Sequence, residues 1–72
     1  MSAQVMRTLL NRLYSASERV AKKHHSYHYP RKPNDISRFT ETELEVAITT
    51  NILFLEAPEY GYIMFRDAKK NS

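Results

Sequence analysis

Three histidines stand close together in this sequence, and imidazole nitrogens are common metal ligands. His24 and His28 would share one face if a helix extended that far, and two histidines at this spacing can bind zinc. A closed structural zinc site needs four protein ligands, however, and the chain contains no cysteine to supply thiolates. We expect His24, His25 and His28 to be solvated or stacked, and the sequence predicts neither a metal nor another cofactor.

The acids and hydroxyls do not form a catalytic pattern. Glu41, Glu43 and Glu45 alternate along a predicted helix, where i,i+2 spacing points side chains apart. Their place in the first two turns is explained by the helix dipole, which favours negative charge there. No serine lies in a Gly-x-Ser-x-Gly turn, and with a single glycine there is no phosphate-binding loop. We therefore expect neither an enzyme nor a small-molecule substrate.

A basic segment rich in aromatic residues follows the first predicted helix. Rings that stack on bases and cations that neutralise phosphate together bind single-stranded nucleic acid, although a solvated linker can have the same composition. A row of cations on the helix could extend this surface. The nucleic-acid-binding candidates are Arg12, Arg19, Lys23, His24, Tyr27, His28, Tyr29, Arg31 and Lys32. A nucleic-acid-binding accessory protein is therefore the alternative function.

Charge is divided between the two halves of the chain. Residues 1–38 hold eight Lys and Arg against two acids, a net charge of +6, and residues 39–72 hold three against six, a net charge of −3. The halves could neutralise each other within the fold. They could also present different surfaces to two partners, or to a second copy of the chain.

The first element is predicted to be an amphipathic helix over residues 2–23. Apolar residues recur at three- and four-residue steps within one arc: Met6, Leu9, Leu10, Leu13, Ala16 and Val20, with Ser17 among them. Its arginines, serines and single acid also resemble the composition of an organellar transit peptide. An ordinary basic surface helix is the favoured interpretation, because removing it would leave even less core.

An extended basic linker, residues 24–39, precedes a short second helix, residues 41–50. Pro30 and Pro33 disfavour helical geometry in the residues before them. Thr40 and Glu43 form a capping-box pattern, which predicts the helix start. Helix, linker, helix and hairpin would also suit a reduced winged helix, but a reading helix with three glutamates would be repelled by DNA.

The apolar residues that follow are predicted to form a β-hairpin over residues 51–67, with a frayed tail over 68–72. Pro58 and Gly61 favour a turn between two runs rich in aromatic and branched residues. Both faces of such a hairpin would be apolar, so either the two helices cover both faces or one face is a candidate protein interface. The interface candidates are Leu53, Leu55, Tyr60, Tyr62, Met64 and Phe65.

Taken together, these features predict a single small domain, residues 1–72, of the α+β class. A chain this short has a marginal core and commonly relies on a partner for further stability. We expect a non-enzymatic binding or regulatory protein that acts through protein–protein contacts, and a homodimer fits the same features. No segment has the length and apolarity of a membrane span. The lack of cysteine fits a reducing compartment, so the expected location is the cytoplasm.

Overall fold

The computed structural model describes residues 1–58, which form two α-helices joined by a linker. Helix α1 spans Ala3–Lys23 and helix α2 spans Glu41–Glu56. No strand is present among these residues. The described part of the chain is therefore all-α, and the predicted α+β class is wrong.

Both ends of α1 are capped by hydrogen bonds. At the start, the Ser2 hydroxyl accepts a hydrogen bond from the backbone N–H of Val5 at 3.2 Å. At the end, the N–H of Ser26 donates to the carbonyl of Ala21 at 2.8 Å, and His25 adopts a left-handed conformation with φ of 52°. This pattern is a Schellman motif, which ends a helix with one left-handed residue. The backbone leaves the helix axis here and enters the linker.

Helix α2 begins where the capping-box pattern places it and ends later than predicted. The Thr40 hydroxyl accepts from the N–H of Glu43 at 3.2 Å, and the Glu43 carboxylate accepts from the N–H of Thr40 at 3.1 Å. The helix then continues through Thr50 and Asn51, where the sequence predicted its end. Thr50 donates its hydroxyl to the carbonyl of Val46 at 2.8 Å, so its polar group is satisfied within the helix.

The hairpin prediction is consequently wrong for its first strand. Residues 51–56 are the last turns of α2, and α1 packs against them. A short apolar run does not by itself distinguish a strand from a buried helix, so packing decided the outcome. The rest of the predicted hairpin, from residue 59 onward, and the predicted tail lie outside the described residues.

The two helices run in the same direction, side by side. Leu10 and Leu44 lie in one buried cluster, and two turns further along each helix Ser17 bonds to Asn51. Both pairs are 34 residues apart in sequence, as two helices running in the same direction require. The core cluster is completed by Met6, Tyr14 and Ile36. Burial raises the pKa of the Tyr14 phenol, because the phenolate would lose its hydration.

The linker returns along one side of the helix pair. Its fixed points are Ile36, which is buried in the core, and Tyr29, whose ring packs against Phe54 with centroids 6.3 Å apart. Asp35 accepts hydrogen bonds from the hydroxyl and the backbone N–H of Ser37, and these bonds lower the pKa of the Asp35 carboxyl. The linker thus covers one side of the pair.

Neither described helix combines the length and the apolarity that a membrane crossing requires.

Candidate protein-binding face

Helix α1 has an apolar arc wider than its contact with α2. The buried stripe comprises Met6, Leu10, Tyr14, Ser17 and Ala21. A second set of apolar residues lies counter-clockwise from this stripe when the helix is viewed from its N-terminus. At 100° per residue, its members lie about 20° to 80° from the edge of the stripe. This set is Leu9, Leu13, Ala16 and Val20, all of them half-buried. None belongs to the core cluster.

Helix α2 has a matching second stripe. Its buried residues are Leu44, Asn51 and Phe54. Clockwise from them lie Ile48, Ile52 and Leu55, spaced four and three residues apart on one side of the helix. Ile52 is 41% exposed, and the other two are half-buried, with Ile48 also packed against the core cluster.

These two stripes form one surface. The helices run in the same direction, so a counter-clockwise stripe on α1 and a clockwise stripe on α2 lie on the same side of the pair. We call this surface the shared face and define it as Leu9, Leu13, Ala16, Val20, Ile48, Ile52 and Leu55. At one end, a groove lined by Met1, Val5 and Leu9 continues it along α1.

The linker lies on the opposite side of the helix pair. Residues 29–32 line a groove with Tyr14, Ser15 and Glu18, and residues 34–37 line another with Arg7 and Asn11. All five α1 positions lie clockwise of the buried stripe or at its clockwise edge. Within residues 1–58, the linker therefore does not cover the shared face.

Opposite charges border the shared face along its two long edges. Beyond the α1 stripe run Arg12, Arg19 and Lys23, and beyond the α2 stripe run Glu45 and Glu56. All five side chains are exposed. Within the described part of the chain the ion pairs are Lys22–Glu18 and Arg38–Asp35, and none of these five takes part in one.

Part of the predicted nucleic-acid surface is engaged inside the fold. The Arg31 guanidinium lies 4.5 Å from the centre of the Tyr29 ring, and the same ring packs against Phe54. Arg31 also donates to the carbonyl of Tyr27 at 3.1 Å. Tyr29 is therefore packed within the molecule, whereas the Tyr27 side chain is 75% exposed.

The remaining basic candidates do not form one continuous band with the linker. Arg12, Arg19 and Lys23 follow the border of the shared face, whereas the groove lined by Arg31 and Lys32 also includes the acid Glu18. His24 caps the end of α1 and is exposed, and His28 is half-buried. In residues 1–58, no three histidines or acids lie close enough to hold a metal ion.

The predicted interface residues divide into three groups. Leu55 belongs to the shared face. Leu53 is 59% exposed and lies on the opposite side of α2 from Leu44. Tyr60, Tyr62, Met64 and Phe65 lie outside the described residues.

The sequence contained signals for the shared face that the strand prediction concealed. The apolar arc of residues 2–23 spans about half the helix circumference, more than one neighbouring helix covers. Ile48, Ile52 and Leu55 follow helical steps of four and three. The predicted end of α2 at residue 50 separated Ile48 from the other two residues.

No protein-family model, no curated protein and no solved structure matches this chain.

Proposed function

We propose that this chain is a non-enzymatic binding or regulatory protein that acts through protein–protein contacts on the shared face. One observation supports the proposal above the others: seven apolar side chains from two helices form a continuous surface that the linker does not cover. The cysteine-free composition fits a reducing compartment, and we propose the cytoplasm as its location.

The physical reason is the size of the apolar surface relative to the domain. A layer of helices buries its apolar side against a second layer, and two helices side by side form only one layer. The linker supplies a second layer on one side through Ile36 and Tyr29. On the other side, the shared face needs a second layer to cover it. Its side chains are aliphatic, and removing aliphatic surface from water is favourable.

The chain offers a direct test because it has no cysteine, so one introduced thiol is a unique label. Ile52→Cys places a thiol on the shared face, and Ser15→Cys places a matched thiol on an exposed part of α1 outside the face. We expect the two variants to react with a maleimide at similar rates in a very dilute solution, since no residue of the described linker covers the face.

A thiol at position 52 that stays protected at every dilution, while the thiol at position 15 reacts freely, would show that the chain covers its own face. The proposal would then fail. Circular dichroism of both variants verifies that the helices are retained, so protection can be read as burial rather than misfolding.

Nucleic-acid binding is the second candidate function, and the exposed row Arg12, Arg19 and Lys23 favours it. Phosphate contacts release counterions, so affinity for a labelled oligonucleotide should fall log-linearly with salt concentration. Arg12→Glu with Arg19→Glu should abolish it. Contacts on the apolar face should instead be lost in Ile52→Glu, which leaves every cation of the row in place.

A further inference from the structure

We infer that the occupant of the shared face is a second copy of this chain, in a two-fold dimer that places α1 of each copy on α2 of the other. The axis runs parallel to the helices, and the product is a four-helix bundle with all helices in one direction. This inference rests on the proposed function, because it assigns a partner to the face that the function requires.

The charged borders decide between the two symmetric ways of stacking the faces. An axis parallel to the helices places the cationic border of one copy over the acidic border of the other, along both edges. An axis perpendicular to the helices, within the interface, places like borders over each other. Like charges across an interface are unfavourable, so the parallel axis is selected.

The spacing of the charges supports the same arrangement. Lys23 follows Arg12 by eleven residues, and Glu56 follows Glu45 by eleven residues. Eleven residues are close to three helical turns, about 16 Å along the axis, so both members of each pair lie on one side of their helix.

The cations of α1 and the acids of α2 also lie at matching heights along the helix axes. Within one copy, residues 34 apart lie side by side, as Ser17 and Asn51 do. A two-fold axis parallel to the helices leaves the level unchanged, so Arg12 of one copy meets Glu45 of the other within one residue. Lys23 meets Glu56 with the same offset. Two ion pairs therefore form along each edge.

Packing gives the reason why the dimer is favoured. A domain of this length has a core that rarely supplies more than roughly 3–5 kcal/mol, and oligomerisation is one of the common supplements. Stacking two copies turns each half-buried stripe into part of the interior of a four-helix bundle. Ala16, the smallest side chain of the face, allows the facing helix to approach closely.

Sedimentation equilibrium of the full chain tests the inference. We expect a monomer–dimer equilibrium between 8.5 kDa and twice that mass over roughly 1–100 µM. Arg12→Glu and Glu45→Arg should each raise the dimer dissociation constant about three- to tenfold. The double variant should return to within about twofold of the original chain, because the pair is restored in reversed order.

Arg38→Glu is the matched control, since it makes the same charge change at an exposed linker residue away from the face. It should leave dimerisation unchanged. Carbodiimide treatment of mixed light and isotope-labelled chains should join Lys23 to Glu56 between the two isotopic forms. A dimer that responds equally to all three charge variants, or that yields no such mixed cross-link, would overturn the arrangement.

The remaining outcomes separate this inference from the proposed function. A monomer at all concentrations with a reactive thiol at position 52 overturns the dimer and leaves the face available to another protein. A monomer with a protected thiol there overturns both, and indicates that residues 59–72 of the same chain cover the face.

Discussion

The buried hydrogen bond between Ser17 and Asn51 should fix the register of the two helices. Both residues are fully buried, and the Ser17 hydroxyl donates to Asn51 Oδ1 at 2.7 Å. Asn51 Nδ2 in turn donates to the carbonyl of Ala47 at 2.8 Å. No buried side-chain polar atom in the described residues lacks a partner. Slipping one helix by a turn would leave these groups unpaired in an apolar layer.

The expected magnitudes follow from this geometry. Ser17→Ala removes the donor and leaves Asn51 Oδ1 buried without its partner, which costs about 1–3 kcal/mol of unfolding free energy. This is a large share of the roughly 3–5 kcal/mol that such a core supplies. Combining Ser17→Ala with Asn51→Leu removes both polar groups, so the second change should add little or even restore stability. The expected coupling energy is about 1–3 kcal/mol.

Urea denaturation followed by helical circular dichroism measures these differences. Thr50→Ala is the control. The Thr50 hydroxyl, like the Asn51 amide, donates to a carbonyl four residues earlier, but Thr50 is exposed. It should change stability by less than about 0.5 kcal/mol. If Ser17→Ala behaved like the control, or if the two substitutions were simply additive, the reasoning about the buried pair would be refuted.

Three further predictions concern the linker and the start of α2. Thr40→Ala should cost about 1 kcal/mol in urea denaturation through loss of the cap, and Thr42→Ala in the same turn less than about 0.5. Tyr29→Ala should cost about 0.5–1.5 kcal/mol beyond its lost buried area through the ring contact with Phe54, whereas Tyr29→Phe keeps the ring and should stay close to the original stability. The lowered pKa of Asp35 adds stability that is fully present above the ordinary carboxyl range and is lost as pH falls through the lowered pKa. Urea midpoints taken from neutral pH down to about pH 2 should therefore show a smaller acid-induced loss in Asp35→Asn.

Local signals were sufficient for the starts of both helices and insufficient for the end of α2. The capping box at Thr40 and Glu43 is a pattern of neighbouring residues, and it is present in the structure as the sequence predicted. The apolar steps of residues 2–23 likewise depend only on helical spacing, and α1 follows them. Neither feature needs a tertiary contact to be recognised.

The last turns of α2 depend on a distant residue, which is why the sequence pointed elsewhere. Asn51 favours a cap or a turn on its own, and the β-branched residues before it disfavour a helix. In the fold, Asn51 meets Ser17 from α1, and its side chain bonds back to Ala47 within the same helix. The contact with α1 outweighs the local preference, so the helix continues to Glu56.

The same error displaced the candidate interface. In an extended strand, Leu53 and Leu55 point to the same side, but in a helix they point about 200° apart. Only Leu55 then joins the shared face, while its helical neighbours there become Ile48 and Ile52. The other apolar residues of the predicted hairpin lie outside the described residues, so the expectation that residues 52–65 hold more apolar surface than the chain can cover stays a prediction. The proposed face now combines two helices and lies between both charged borders, so we expect charge pairing, as well as apolar area, to determine which partner it binds.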